Sequence, residues 1–364
     1  MLDIMTRPAA APFARNFIGV RRRYLDEVAQ PSMLAAAKAH PPVRRLFTIA
    51  GKHIQFQFYG HAAAERLSAA LAHNEVAHDA VPDLTIHIWD SASARIAPPA
   101  PWTRRDCVYD PLAEMERPES SFHGAYVAGE GAVSLYDEAS DEAYLWLADF
   151  DRIPGWVLAA PARTVLHWFL SRSNVYLVHG ATVAKGGRAV LITARGGSGK
   201  STTALSCVAA GFDYLSDDYV GISTGDGAVV HSLYNSAKLT PDGLLAFPEL
   251  RRFVRDKPLG DNGKAVIYLT EAAPEQLRRE APLTAILIPV LHKADRTHLL
   301  PAGKKQAFLA LAPTTVFQLP FAGADMIAPL KMLIDRIPCH FLMLGPDVRE
   351  VSSGIDRFLR DPAT

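Results

Sequence analysis

The eight residues Ala194-Arg195-Gly196-Gly197-Ser198-Gly199-Lys200-Ser201 stand between an apolar run, Arg188 to Thr193, and a helix-forming run, Ser201 to Ala210, closed by Gly211. A strand, a glycine-rich turn and a helix in that order make a phosphate-binding loop (P-loop), here with alanine in the first position where glycine is commoner. The chemistry needs these residue types. Gly196, Gly197 and Gly199 carry no Cβ to obstruct backbone conformations in which successive N–H groups converge on a polyphosphate. Ser201 opens a helix whose N-terminal dipole favours the same anion. Lys200 is placed to bridge the β and γ phosphates, and the Ser201 hydroxyl to ligate Mg2+. The candidate nucleotide-contact set is Gly196, Gly197, Ser198, Gly199, Lys200, Ser201 and Thr202, with ATP and Mg2+ as the implied cofactors. Thr202 and Thr203 are helix residues of which no direct contact is required.

Moving outward, Val175 to Val183 reads as one strand, Ala184-Lys185-Gly186-Gly187 as a glycine turn, and Arg188 to Thr193 as the returning strand, a hairpin that runs into the loop. On the far side, Phe212 to Leu215 reads as a short strand ended by Asp217 and Asp218. His179 lies 21 positions before Lys200, and Asp217 lies 17 after it. In an open α/β sheet the ligand crevice lies at the carboxyl ends of the strands, so an acidic pair there faces the phosphates. Two adjacent aspartates at a strand end point in different directions, which lets one approach a metal while the other takes the proton of an attacking hydroxyl. Arg195, Lys238 and Lys264 are further cations that can touch phosphate or substrate, against the default of a solvated side chain.

The chain as a whole has 364 residues, 49% hydrophobic and 21% charged, with 38 basic against 38 acidic residues. That balance lacks the basic excess of a protein that lives on nucleic acid. The basic opening, Arg15, Arg21, Arg22, Arg23, Arg44 and Arg45, reads as a solvated face. Cys107, Cys207 and Cys339 show no CxxC spacing, so neither a zinc site nor a disulfide framework is expected, and a reducing cytoplasm is the expected compartment. No stretch approaches the roughly 20 apolar residues that span a bilayer, and Met1 to Pro12 lacks the order of a signal peptide, so no membrane association is expected.

In the first half, Ile54 to Tyr59 and Leu84 to Trp89 alternate as strands, Ala62 to Ala72 reads as a helix, and Val127 to Tyr136 as one or two strands. Ile96 to Pro101 reads as a surface loop, and Phe58, Tyr59, His61, Trp89 and Trp102 as core rather than a peptide groove. Trp156 to Leu170 reads as one buried helix. Downstream, Ala285 to Leu291 and His340 to Leu344 read as strands, and Met326 to Ile337 and Val348 to Leu359 as helices. The expected organisation is an α+β N-terminal domain over 1–150, a candidate for substrate recognition, and an α/β P-loop domain over 151–364, its informative chemistry beginning near Asn174.

Val178-His179-Gly180-Ala181, the loop from Ala194 to Ser201 followed by Thr202-Thr203-Ala204-Leu205, and Gly211-Phe212-Asp213-Tyr214-Leu215-Ser216-Asp217-Asp218 together resemble the kinase core of the HPr kinase/phosphorylase family. The resemblance is strong over about 50 residues, Asn174 to Ile222. It implies a P-loop kinase core of the HPr kinase and phosphoenolpyruvate carboxykinase type, ATP-dependent phosphorylation of a serine hydroxyl on a peptide or protein, and a homo-oligomer. Carried over, it implies that Lys200 and Ser201 hold phosphate and Mg2+, that Asp217 is the general base, that Asp218 is its acidic, metal-facing partner, and that His179 contacts phosphate or orients the pair. The sequence departs from the family at Asn235-Ser236-Ala237-Lys238, where a lysine stands in the region of a further acidic residue. That departure removes the basis for a second metal and for phosphorylase activity. The N-terminal half does not resemble the family's own, so the HPr protein is not the expected acceptor. In size and core motif the chain is similar to stand-alone kinases of peptide-maturation systems, including those acting on lasso-peptide precursors.

Three other readings compete. A GTPase-type switch is cued by Asp218-Tyr219-Val220-Gly221 and by His292-Lys293-Ala294-Asp295, yet only 18 positions separate Lys200 from Asp218, too few for a helix and a switch segment, and histidine replaces the guanine-reading asparagine. A non-catalytic nucleotide-binding scaffold leaves two carboxylates beside a triphosphate with no use. A small-molecule kinase shares all the chemistry except the acceptor.

Overall fold

The computed structural model describes residues 17–77, 79–98, 107–108, 121–225, 227–255, 263–291, 296–320 and 322–361. Among them the chain builds two large sheets in a mixed α/β arrangement. The first comprises β1 (Phe17–Val20), β2 (Val43–Ile49), β3 (Lys52–Phe58), β4 (Glu75–Val76), β5 (Leu84–Asp90), β6 (Cys107–Val108), β7 (Phe122–Val127), β8 (Ala132–Asp137) and β9 (Glu142–Leu147), in the order β4-β2-β3-β5-β9-β8-β7-β1-β6. The period-2 alternation of Lys52–Phe58 and Leu84–Asp90 puts Ile54, Phe56, Phe58, Ile86 and Ile88 into the core.

The second sheet carries the glycine-rich loop Ala194 to Ser201. Its strands are β10 (Val175–His179), β11 (Ala181–Lys185), β12 (Arg188–Ile192), β13 (Asp213–Ser216), β14 (Tyr219–Ser223) and β15 (Val229–His231), while β16 (Ser236–Leu239) and β17 (Ala265–Tyr268) form a separate ribbon, and β18 (Glu280–Leu291), β19 (His298–Pro301) and β20 (Cys339–Leu344) complete it. The order is β10-β14-β15-β18-β12-β11-β13, with β20 also on β18 and β19 beyond β20. The twelve-residue β18 organises this sheet, pairing β15 with its first residues and running parallel to β12 and then to β20. The parallel run of β12 and β18 leads directly into the glycine-rich loop, at the carboxyl end where α/β sheets place ligands.

Several elements differ from the sequence reading. Val175 to Val183 is two strands, not one: β10 ends at His179 and pairs with β14, and only β11 forms the hairpin with β12. Gly180 is the break, since a Cβ there would lie 2.8 Å from Leu191 Cδ1 and 2.9 Å from the Ile192 carbonyl oxygen. Trp156 to Leu170 is likewise two helices, Gly155–Ala159 and Arg163–Ser171, interrupted at Pro161 and at Ala162, whose φ is +54°. The helix begun at His61 becomes 3-10 from Ala69 to Asn74. Strands Val43–Ile49 and Glu142–Leu147 and helices Gln30–Ala39 and Lys304–Val316 are absent from the sequence reading: Glu142–Leu147 is buried on both faces and does not alternate, and the helices leave Leu34 and Leu309 exposed, so their apolar residues follow no single face.

One apolar cluster runs from Phe56 and Ile86 in the first sheet, through Val165, Leu166 and Phe169, to Leu177, Val220 and Ile286 in the second. Helix Arg163–Ser171 is its bridge, with Phe169 edge-on to Tyr136 at 6.2 Å. Polar ties accompany it: Asn235 Nδ2 donates to the carbonyls of Ala69 (2.8 Å) and Ala70 (2.9 Å), and Tyr234 donates to the Pro161 carbonyl at 2.9 Å. Phe58, Tyr59 and Trp89 are core, whereas His61 is exposed; Arg15, Trp102 and residues 99–101 lie outside the described residues. The basic opening is paired, Arg22 with Asp137 at 2.6 Å, Arg23 with Glu27 at 2.6 Å and Arg45 with Glu75 at 2.9 Å. No helix among the described residues is long and apolar enough to cross a membrane.

Candidate functional site

The loop after β12 closes on helix Lys200–Ala209 through two residues with left-handed backbone, Gly197 at φ +80° and Gly199 at φ +89°. A side chain at either position would be strained whatever the space around it. Lys200 is buried, and its ammonium donates to the carbonyls of Ala194 at 2.7 Å and Arg195 at 3.2 Å. Burial pushes its pKa down, while Asp217 and Asp218 push it back up.

The loop borders a cleft of about 800 Å³. Gly196, Gly197, Gly199, Lys200, Ser201 and Thr202 line it; Ser198 does not, and its Oγ is buried with no hydrogen-bond partner among the described residues. Arg195 and Lys264 reach the cleft from exposed and half-buried positions.

His179, Asp218 and Lys238 form the cleft wall next to the loop. The ends of β10, β13 and β14 meet there in a short turn. Asp218 holds φ +73°, a conformation that aspartate tolerates better than most residues. Its carboxylate faces His179 Nε2 at 3.5 Å and accepts a close ion pair from Lys238 Nζ. Burial would push this carboxyl up, but Lys238 and His179 together hold it well below the usual carboxylate range. The His179 imidazole is pushed down by burial, partly opposed by Asp218. Its backbone is fixed on both sides: the N–H donates to Thr315 Oγ1 at 3.1 Å, and the carbonyl accepts from Thr193 at 3.1 Å.

Asp217 takes a different place. It is 2% exposed and is not part of the cleft wall. The main-chain N–H of Lys238 donates to Asp217 Oδ2 at 3.3 Å, the nearby Ser201 hydroxyl favours the ionised form of this carboxyl, and Oδ1 has no hydrogen-bond partner among the described residues. Burial and the adjacent Asp218 push its pKa up. The resemblance implies Asp217 as base and Asp218 as its metal-facing partner; of the two carboxylates, Asp218 lines the cleft and Asp217 lies buried outside its lining.

These residues fit Mg-ATP. Cβ atoms built at Gly196 or Gly197 meet nothing within 4 Å, so the loop borders open space, and the buried Asp217 Oδ1, with no hydrogen-bond partner among the described residues, is with the nearby Ser201 hydroxyl an oxygen pair that would suit Mg2+. No group of three or more His, Cys, Asp or Glu among the described residues forms a self-sufficient metal cage. Mg2+ commonly takes one or two protein oxygens and completes its shell with phosphates and water.

The far wall comes from residues no motif marked. Glu130 and Arg163 form a buried ion pair, Arg163 lies over the Tyr219 ring with 5.7 Å to its centroid, and Trp156, Phe317 and Gln318 line the same space. Tyr219 donates to Gln318 Oε1 at 2.9 Å. Their signal is tertiary: Glu130, Trp156, Arg163, Phe317 and Gln318 lie 37 to 118 positions from Lys200 and converge only through the bridging helix and helix Lys304–Val316. The switch-like Asp218-Tyr219-Val220-Gly221 is a strand start, with Gly221 in register with Leu177, and 292–295 lie outside the described residues.

No family model matches the sequence, and no curated protein matches it. Among solved structures, the HPr(Ser) kinase/phosphatase from Coxiella burnetii is similar at 11% identity over 51% of this chain and 89% of that chain, with a TM-score of 0.30. A superposition at that score defines no family, and none is assigned.

Proposed function

We propose that this protein is an ATP-dependent phosphotransferase that moves the γ-phosphoryl group of Mg-ATP onto a hydroxyl, most simply a serine of a peptide or protein. The observation that carries the reading is the placement of Asp218, with His179 beside it, on the wall of the same cleft as the P-loop and Lys200. A binding module needs the loop; it does not need an ionised carboxylate facing the terminal phosphate.

In this reading the N–H groups of Gly196 to Ser201 bind the phosphates, and Lys200 turns from the loop carbonyls to the β and γ oxygens. Ser201 and Asp217 hold Mg2+, which offsets the charge of the β and γ phosphates when bound. Asp218 receives a hydrogen bond from the acceptor hydroxyl and takes its proton as the oxygen attacks phosphorus in line. His179 orients Asp218. The Glu130, Trp156, Arg163 and Phe317 wall closes the acceptor end and excludes water.

The test is incubation of the purified chain with Mg2+ and γ-labelled ATP or GTP, alone and with serine-containing peptides from neighbouring genes, followed by mass spectrometry of the products. Label on a serine from ATP supports the reading. GTP-selective hydrolysis, or tight nucleotide binding with neither hydrolysis nor transfer, would sink it.

A further inference from the structure

Lys238 is held at two points by the acidic pair: its main-chain N–H donates to Asp217 Oδ2 at 3.3 Å, and its ammonium is paired with Asp218 Oδ2. Its strand β16 is hydrogen-bonded to β17, with Lys238 opposite Val266. The side chain is 10% exposed, and the residue lines the cleft together with Lys200. The site therefore presents two ammonium groups, one tied to the P-loop carbonyls and one tied to the carboxylate on the cleft wall. A lysine stem is flexible, so the ammonium can swing while the backbone stays on Asp217.

Building on the phosphotransferase reading, we propose that Lys238 is a catalytic residue whose ammonium leaves Asp218 to contact the γ-phosphoryl group as it transfers. In that step a bond forms between the acceptor oxygen and the γ phosphorus, and the bond from that phosphorus to the β–γ bridging oxygen breaks. The electron pair of the broken bond leaves with ADP, and the acceptor's proton goes to Asp218. The flexible stem lets the Lys238 ammonium reach the phosphoryl oxygens while their charge is spread over three equatorial positions. A cation aimed at developing charge in a water-poor cleft stabilises the transition state more than the ground state. The competing view is that Lys238 only neutralises a buried carboxylate, and that role touches stability and every ligand alike.

The experiment needs no acceptor. Affinities for MgADP and for MgADP with aluminium fluoride, a planar mimic of the phosphoryl group in flight, are measured by calorimetry on the full chain and on Lys238→Met and Lys238→Arg. The expected result is that K238M weakens the aluminium fluoride complex on the order of 100-fold and MgADP alone by less than about threefold, with K238R close to the parent. Equal losses for both ligands, or none for either, overturn the assignment. Should K238M fail to fold, the double variant Asp218→Asn/Lys238→Met removes both charges together, and the same ligand-selective loss is expected of it; its absence overturns the assignment. A parent protein with no affinity for MgADP overturns the nucleotide reading itself, an outcome distinct from either of these.

Discussion

The main-chain N–H of Gly180 donates to the carbonyl oxygen of Asp218 at 2.9 Å. This bond joins the end of β10 to the turn between β13 and β14, and so places the His179 ring against the Asp218 carboxylate. Gly180 is also the point where the chain passes from β10 to β11 with no room for a side chain. Gly180→Ala is expected to destabilise the protein by about 1–3 kcal/mol through contact with Leu191 and the Ile192 carbonyl. Denaturant midpoints of parent and variant check this, and an unchanged midpoint contradicts the close approach.

The two aspartates separate by function if their placement matters. Asp218→Asn keeps a residue that tolerates the left-handed backbone and should lower phosphoryl transfer by about 100-fold or more, with nucleotide affinity within a few-fold. Asp217→Asn should instead raise the Mg2+ concentration needed for half-maximal nucleotide binding. Magnesium titrations and single-turnover transfer on both variants read the difference; identical behaviour in both assays contradicts the division of roles.

Lys200→Ala removes the buried ammonium from the phosphate loop. Nucleotide binding and transfer should both fall, transfer by on the order of 100-fold. Calorimetric binding of ATP is the direct check, and retention of full affinity would exclude this loop as the phosphate site.

Glu130 and Arg163 are each about nine-tenths buried, at 11% and 13% side-chain exposure. Removing one partner leaves an uncompensated charge, so Glu130→Leu should lose about 3–5 kcal/mol, whereas the double variant Glu130→Leu/Arg163→Met should recover much of that loss. A double-mutant cycle by urea unfolding measures it, and additive losses would show that the pair is not coupled.

His73 connects the two sheets, with Nε2 2.7 Å from Ser232 Oγ. Burial, with Arg279 nearby, pushes its pKa down to about 3. Between that value and the ordinary one near 6.5 the unfolded chain binds a proton that the folded chain refuses, so stability falls as pH drops through this window. The contribution is about 3 kcal/mol at pH 4.5. His73→Gln should flatten the stability difference between pH 7 and pH 4.5 by that amount relative to the parent; parallel profiles would refute the linkage.

The sequence was most informative where chemistry is local. Gly196 to Ser201 are small, positive and hydroxylated in the order that a phosphate, its metal and a helix N-terminus would require within one turn of chain. Asp217 and Asp218 were legible as a pair at a strand end, though their separate directions were not: a one-residue step at a turn decides which carboxylate meets Ser201 and which meets the cleft, and that depends on the +73° backbone of Asp218 and on Gly180 behind it.

Tertiary structure alone decided the rest. The break of Val175 to Val183 into two strands follows from packing against Leu191, which no periodicity reports. The same holds for the wall of Glu130, Trp156, Arg163 and Phe317, whose residues come from four separate elements and acquire meaning only once helix Arg163–Ser171 is buried between the sheets. A phosphate cradle is a property of consecutive residues, whereas a cleft is a property of surfaces that burial of apolar area brings together.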